Sequence, residues 1–383
     1  MTENNRVTIV AGEASADAHA AALVRELRSL RGGLEVDGAG GSRLREEGVD
    51  LRFDFSSVGV VGITEIVPEL KRFYDAYRAL LRGVAERRPQ GVILLDLPDF
   101  NIFLAGRIKK YYPETQIIYY ISPQVWAWRP GRVKKIAARA DAMLTLFPFE
   151  VEIYRRAGMD VEFVGHPLRD SARPSASPEE LRRELRLDSG PVVALLPGSR
   201  RGEIARLLPT MVEAGRRLLA DKPGAVFVLP RAPTLAEGLI RERLGAIAGR
   251  TRVLSGRACD ALAVAEAALV ASGTATLEAA IIGTPMVVLG AVSWPSYLLA
   301  KPFIPVTEFS LPNVIAGRRI VPELIQGEAR PDRALAELSN LLDHRDKLET
   351  MKAELARVKE ALGEPGASRR AAAAVNRRLW GEV

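Results

Sequence analysis

Short apolar runs alternate along this chain with longer stretches whose apolar residues recur every three to four positions. In the first half the runs fall at residues 7–10, 92–95, 117–121, 142–146 and 161–164. Each has the length and bulk of a strand buried on both faces, as in a parallel sheet. Between them, residues 18–30 and 69–85 carry the helical period; in the latter Leu70, Phe73, Tyr74, Tyr77, Leu80, Leu81 and Val84 share a face. A patch rich in Pro and Ser at 170–178 interrupts the pattern. The alternation then resumes with runs at 192–196, 225–229, 251–254, 268–271 and 286–289, and from residue 331 onward the chain reads as charged helix. Strand alternating with helix predicts an α/β protein of two doubly wound, Rossmann-like domains, spanning 1–170 and 171–345, with helices of 346–383 returning to the first. Ligands of such sheets bind at the carboxyl ends of the strands, so a cleft between the domains is the expected site.

Composition narrows this further. At 383 residues the chain is long for a single core, and 48% hydrophobic with 26% charged residues describes a folded protein. The single cysteine, Cys259, excludes an intramolecular disulfide. The amino terminus carries no signal-peptide pattern, and no apolar run approaches the roughly 20 residues that span a bilayer. The expected location is cytoplasmic, at most peripheral to the inner face of the membrane. A net charge of +7 suits an anionic partner: nucleic acid, phospholipid or phosphorylated metabolites. Nucleic acid is disfavoured, because there is no zinc-finger spacing, aromatic RNP-like strand or dense basic run. His19, His166 and His344 form no metal pattern, and Ala11-Gly-Glu-Ala-Ser-Ala-Asp17 stands where a dinucleotide-binding glycine fingerprint would follow the first strand. A dinucleotide cofactor is correspondingly not expected.

The candidate chemistry sits where strands end. Ser272, Gly273 and Thr274 form a turn of small residues before a short helix, whose free N–H groups and dipole favour a phosphate. Glu278, one helical turn later, is placed to accept hydrogen bonds from sugar hydroxyls. Ser199 and Arg200, in Leu195-Leu-Pro-Gly-Ser-Arg200, offer a second turn of the same kind with a cation for a diphosphate. In the first half, Asp96 follows a buried strand, where a partly dry site raises a carboxylate's pKa and suits it to general base catalysis. Glu13 is the other acid at that rim. Asp99 and Asn101 are read as capping or orienting residues, and Asp17 as the cap of its own helix. Trp126 and Trp128, flanked by arginines, can stack on a sugar or hold an acyl chain. The 69–85 helix, with Phe73 and Tyr77 on its apolar face and Lys71, Arg72, Arg78 and Arg82 on the other, either covers its own sheet or lies on an anionic membrane. The apolar loop 293–305 is open to the same two readings. His166 is either a ligand contact near the hinge or a satisfied structural histidine.

In these motifs the chain resembles the lipid-A-disaccharide synthases, glycosyltransferases of the GT-B fold. The matching segments include Ala11-Gly-Glu-Ala-Ser15, Leu95-Asp-Leu-Pro-Asp-Phe-Asn101, Ser122-Pro-Gln-Val-Trp-Ala-Trp128, Leu195-Leu-Pro-Gly-Ser-Arg200, Ala271-Ser-Gly-Thr-Ala-Thr-Leu-Glu278 and Ser310-Leu-Pro-Asn-Val-Ile-Ala-Gly317, so the likeness covers nearly the whole sequence. It implies an inverting, metal-independent transfer of 2,3-diacylglucosamine from UDP to 2,3-diacylglucosamine 1-phosphate, with no organic cofactor. The products are the β-1,6-linked lipid A disaccharide 1-phosphate and UDP. It also implies that Asp96 is the key carboxylate, with Glu13 important, that Arg200 holds the phosphates and Glu278 the ribose, and that Asn313 lines the site. One position departs: the family usually has Gly where this chain has Ala16. A UDP-N-acetylglucosamine 2-epimerase or another GT-B nucleotide-sugar enzyme shares the fold and the second-half turns. A binder of nucleotide sugar or membrane without turnover would make Asp96 dispensable.

Overall fold

A computed structural model of the chain describes residues 4–55, 66–126, 129–187, 190–233, 235–291 and 308–381, the side chains of 66–70 excepted. Trp128 and the loop 293–305 lie outside the described residues. The chain divides into two compact units, Met1–Pro167 with Leu362–Val383, and Leu168–Ala361.

The first unit is built on a parallel sheet of seven strands: β1 (Arg6–Ala11), β2 (Glu35–Gly40), β3 (Asp50–Asp54), β4 (Gly91–Leu95), β5 (Gln116–Tyr120), β6 (Ala142–Thr145) and β7 (Asp160–Phe163). Their order is β3-β2-β1-β4-β5-β6-β7. The apolar runs supply the buried middle. Val92, Ile93, Leu94 and Leu95 of β4 and Ile9 and Val10 of β1 are fully enclosed, as expected of strands covered on both faces. Chain order reverses between β1 and β4, so the topological switch point, where such folds place their ligands, lies at the carboxyl ends of these two strands.

The second unit repeats the plan with β8 (Val192–Leu196), β9 (Val226–Arg231), β10 (Thr251–Ser255), β11 (Ala267–Ala271), β12 (Met286–Gly290) and β13 (Glu323–Ile325), ordered β10-β9-β8-β11-β12-β13. Its switch point is between β8 and β11.

Strands β2, β3 and β13 were not apparent as apolar runs. In β2, Glu-Val-Asp-Gly-Ala-Gly, Asp37 is buried because the Thr8 hydroxyl donates to it at 2.7 Å and Arg52 pairs with its other oxygen. A satisfied charge inside a sheet does not announce itself as hydrophobic. The terminal helices also depart from the expected boundary at 346. Arg345–Ala361 packs on Thr274–Ile282, Leu311–Ala316 and Pro331–Asp343 within the second unit. Ala367–Trp380 packs on Ala14–Leu30 in the first, where Trp380 Nε1 donates to the Asn4 carbonyl at 3.0 Å. The Pro- and Ser-rich patch is tied down: Ser175 donates its N–H and hydroxyl to Asp260 at 2.6 and 2.7 Å, so the unit boundary falls before it.

Candidate active site

At the switch point of the first unit, β4 ends in two consecutive left-handed residues that are not glycine, Asp96 at φ 55° and Leu97 at φ 41°. Such backbone costs on the order of 1 kcal/mol or more per residue and persists only where its surroundings impose it. Here the Tyr119 hydroxyl and the Asn101 side-chain amide both donate to the Asp96 carbonyl, at 2.8 and 2.6 Å, and Asn101 reaches the Leu95 carbonyl at 3.0 Å. Pro98 then starts the helix Pro98–Tyr111. The carboxyl of Asp96 is raised above the ordinary aspartate range, first by burial and then by the charge of Glu13; the backbone N–H groups of Leu97 and Glu13 pull it partly back. Glu13 stands exposed at the amino end of the helix Ala14–Leu30. The structure therefore brings the two expected carboxylates together at the ends of β4 and β1.

Of the neighbouring polar residues, Asn101 keeps the orienting role read from sequence and others do not. Asn101 holds the strand end, whereas Asp99 is exposed and gripped by Arg132 in a two-bond pair of 3.1 and 2.6 Å. Asp17 does not cap its own helix. It is buried and accepts the N–H groups of Gly41 and Arg43, at 2.7 and 2.9 Å, at the start of the helix Ser42–Glu46. Ala16 lies inside a regular helix with no left-handed backbone, so the family's usual glycine is not required there.

Trp126 is half-buried, its ring edge-on to Phe149 at 5.5 Å. Its indole N–H is buried without a hydrogen bond among the described residues. Beneath it lies an acid that sequence reasoning missed. Glu150 is buried and pushed up to about 8 by desolvation, partly offset by the Phe147 N–H and the Ser122 hydroxyl. Ser122 in turn shares a 2.9 Å hydrogen bond with Tyr154. No motif signals Glu150, because it reads as an ordinary helical residue. His166 is buried 5.3 Å from the Phe147 ring and held down to about 3 by burial and by His19, so its ring is neutral near pH 7.

The second unit has a cavity of about 400 Å³ lined by Gly198, Ser199, Arg200, Ser272, Gly273, Thr274 and Glu278, a size suited to a small organic ligand. Ser199 and Arg200 lie in the turn that follows β8, with Arg200 at the amino end of the helix Arg201–Asp221, its side chain about two-thirds exposed and 3.6 Å from Glu203. Gly273 precedes the helix Thr274–Ile282 at φ 147°, a conformation a side chain would strain. Two helix amino ends thus open on one cavity from neighbouring strands. Glu278, raised by burial, stands one turn along. The same cavity takes in Pro230, Arg231, Ala232, Pro233, Gly256 and Ala258, which carry no motif recognisable from sequence. Asn313 is elsewhere: it is buried, donating to the Val321 carbonyl and Glu323 and accepting from the N–H groups of Ile320 and Val321, so it braces the chain and does not line this cavity.

On the first unit, Phe73 and Tyr77 pack against the core, Phe73 lying 6.1 Å from Phe55 and 5.8 Å from Phe100. Among its described residues, the rings left exposed are Tyr74, Phe103 and Tyr111. Among the described residues no helix is long and apolar enough to cross a membrane, and no group of three His, Cys, Asp or Glu is placed to hold a metal ion.

Comparison with known proteins follows the same lines. Residues 7–377 match the family model described as lipid-A-disaccharide synthetase. The chain is 45% identical over 373 residues to the lipid-A-disaccharide synthase of Anaeromyxobacter sp. (strain K), covering 96% of each protein. It is 44% identical over 386 residues to that of Geobacter sulfurreducens, covering 100% of each. Among solved structures it is similar in fold to a UDP-GlcNAc 2-epimerase from Neisseria meningitidis bound to UDP-GlcNAc, with a TM-score of 0.61, 10% identity and coverage of 98% of this chain and 100% of that one.

Proposed function

The chain belongs to the lipid-A-disaccharide synthase family, and from that premise we propose how its residues divide the work of the reaction. The enzyme is a glycosyltransferase that makes the lipid A disaccharide from a UDP-sugar and a lipid-linked sugar phosphate. Membership at this identity sets aside the epimerase reading, since the epimerase likeness is one of fold alone.

In the proposed assignment, the second unit's cavity holds UDP-2,3-diacylglucosamine, and the first unit's switch point serves the acceptor, 2,3-diacylglucosamine 1-phosphate. Asp96 takes the proton of the acceptor's 6-hydroxyl as its oxygen bonds to the anomeric carbon. The bond from that carbon to the β-phosphate oxygen breaks on the opposite face, so the configuration inverts and UDP leaves. Arg200 and the helix ends after Ser199 and Gly273 supply the positive field that stabilises the negative charge gathering on the diphosphate. Glu278 accepts the ribose hydroxyls. Glu13 keeps the Asp96 carboxyl raised toward a pKa matched to its task. Trp126 borders the acceptor's sugar or acyl region. The anionic inner face of the membrane, which carries both lipid substrates, is the proposed docking partner of the exposed aromatic face.

The observation that carries this reading is the cavity that gathers Ser199, Arg200, Ser272, Gly273, Thr274 and Glu278 from two separate sequence motifs. Its test is UDP release from UDP-2,3-diacylglucosamine in detergent, with and without acceptor and with EDTA, for the wild type and Asp96→Asn. Acceptor-dependent, EDTA-resistant release that collapses in the variant is expected. Release that ignores the acceptor would overturn the assignment.

A further inference from the structure

The nucleotide cavity extends past the residues that its motifs announce. The helix ends after Ser199 and Gly273 follow neighbouring strands, β8 and β11, and they occupy one end of it. The other end lies over β9 and β10, on the far side of β8 from β11. With strands about 4.8 Å apart, the end of β10 is roughly 10 Å from that of β8. That is the reach from a diphosphate across a ribose to its base. The walls there are Pro230, Ala232, Pro233, Gly256 and Ala258, small or apolar, with Pro233 lying over Gly256. They suit a flat heterocycle. A single charged residue stands among them, Arg231, the last of β9.

Arg231 is held rigidly. Its Nη1 donates to the Leu235 carbonyl at 2.6 Å, its Nη2 is 4.0 Å from Glu237, and its own carbonyl accepts from the Gly256 N–H at 2.9 Å. The side chain is only 15% exposed. Yet its Nε is buried with no hydrogen-bond partner among the described residues. A buried charged donor without an acceptor is costly, and here it borders an open cavity.

We infer that Arg231 reads the base, donating from Nε to a carbonyl oxygen of the pyrimidine of the bound nucleoside diphosphate. This rests on the nucleotide reading of the cavity. The guanidinium is fixed by Leu235 and Glu237 before the ligand arrives, so the contact needs no reordering and selects a base with a carbonyl at that edge. The diphosphate is left to Arg200 and the two helix ends.

Isothermal titration of the whole protein with UDP and with inorganic pyrophosphate separates the roles. Arg231→Met, which keeps the unbranched stem, is expected to weaken UDP roughly ten- to a hundred-fold and to leave pyrophosphate binding unchanged. Arg231→Lys, retaining charge but moving the donor, is expected to show the same selective loss and serves if the Met variant fails to fold. Equal loss of both ligands would place Arg231 on the phosphates, and unchanged UDP affinity would make it structural; either overturns the inference. A wild type that binds no UDP would overturn the nucleotide reading itself, and this assignment with it.

Discussion

The side chain of Leu97 fills the space that a Cβ on Gly12 would need; a methyl there would overlap Leu97 Cγ and both its Cδ atoms. Gly12 ends the turn before Glu13, and Leu97 follows Asp96, so this contact sets the spacing of the two carboxylate-bearing turns. Neither residue carries a reactive group.

Gly12→Ala is therefore expected to lower kcat while leaving nucleotide binding in the second unit intact. Its backbone needs no special φ, so the harm is steric, and Leu97→Ala in the same chain should recover part of the loss. Steady-state kinetics on both single variants and the double variant check this. If Gly12→Ala alone matches the wild type, the spacing of the turns does not govern the reaction.

The pairing of Asp96 with Glu13 also has a pH signature. A general base works ionised, so activity rises with pH through the Asp96 pKa, which lies above its usual 3.8 through burial and through Glu13. Asp96→Asn should cost on the order of a hundred- to ten-thousand-fold in kcat. Its thermal stability should hold or rise, because the fold no longer carries a disfavoured buried charge. Glu13→Gln removes the like charge and should move the acid limb of the rate profile to lower pH. A Glu13→Gln variant as inactive as Asp96→Asn would instead make Glu13 the base.

Glu278 and Gly273 act on the donor. A ribose contact is equally present before and during transfer, so Glu278→Gln should raise KM for the UDP-sugar roughly ten-fold with kcat little changed. Gly273→Ala strains the backbone at the helix end, by about 1–3 kcal/mol, and should weaken UDP and pyrophosphate alike. A fall in kcat alone on Glu278→Gln would move that carboxylate to the reacting centre.

Much of this was legible because buried parallel strands and their turns leave strong local patterns. The runs in β4, β8 and β11 gave their positions directly, and Ser199, Arg200, Ser272, Gly273, Thr274 and Glu278 converge on one cavity. What escaped depends on long-range partners. Asp37 is tolerated inside β2 through Thr8, Arg52 and Arg87, which come from other parts of the chain. Asp17 serves the helix that starts at Ser42, beyond its own helix and β2, and Asn313 is consumed by the chain at 320–323. Arg231 and Glu150 acquire meaning only from the cavity and the burial around them.

Glu150 makes stability itself pH-dependent. Its folded pKa of about 8 lies above the 4.5 of an ordinary glutamate. Between those values the folded state holds the proton that the unfolded chain gives up. Stability therefore falls as pH rises across that window, by up to about 1.4 kcal/mol per unit. His166, held down to about 3 from 6.5, has the opposite slope: the unfolded chain binds its proton first, so stability is lost as pH falls from about 6.5 toward 3. Melting of Glu150→Gln against the wild type should show little difference near pH 5 and a gain for the variant near pH 8. An equal difference at both values would mean that Glu150 is ionised in the fold.

The exposed aromatic face has the composition of an interfacial membrane contact. Tyr74, Phe103 and Tyr111 are 57%, 47% and 51% exposed, and Tyr77 bridges the first two, 6.3 Å from Tyr74 and 5.2 Å from Phe103. Each exposed ring has a cation beside it: Arg78 at 5.9 Å from Tyr74, Arg107 at 5.2 Å from Phe103, and Lys110 at 5.4 Å from Tyr111. Rings that enter the acyl boundary with cations at the headgroups are the two components of interfacial binding. Tyr74→Ser with Phe103→Ser should abolish sedimentation with phosphatidylglycerol vesicles and leave the melting temperature nearly unchanged, because those rings contribute little to the core. Phe73→Ser should instead lower the melting temperature, since that ring is packed between Phe55 and Phe100. Vesicle binding that survives the double substitution would remove this face from the membrane contact.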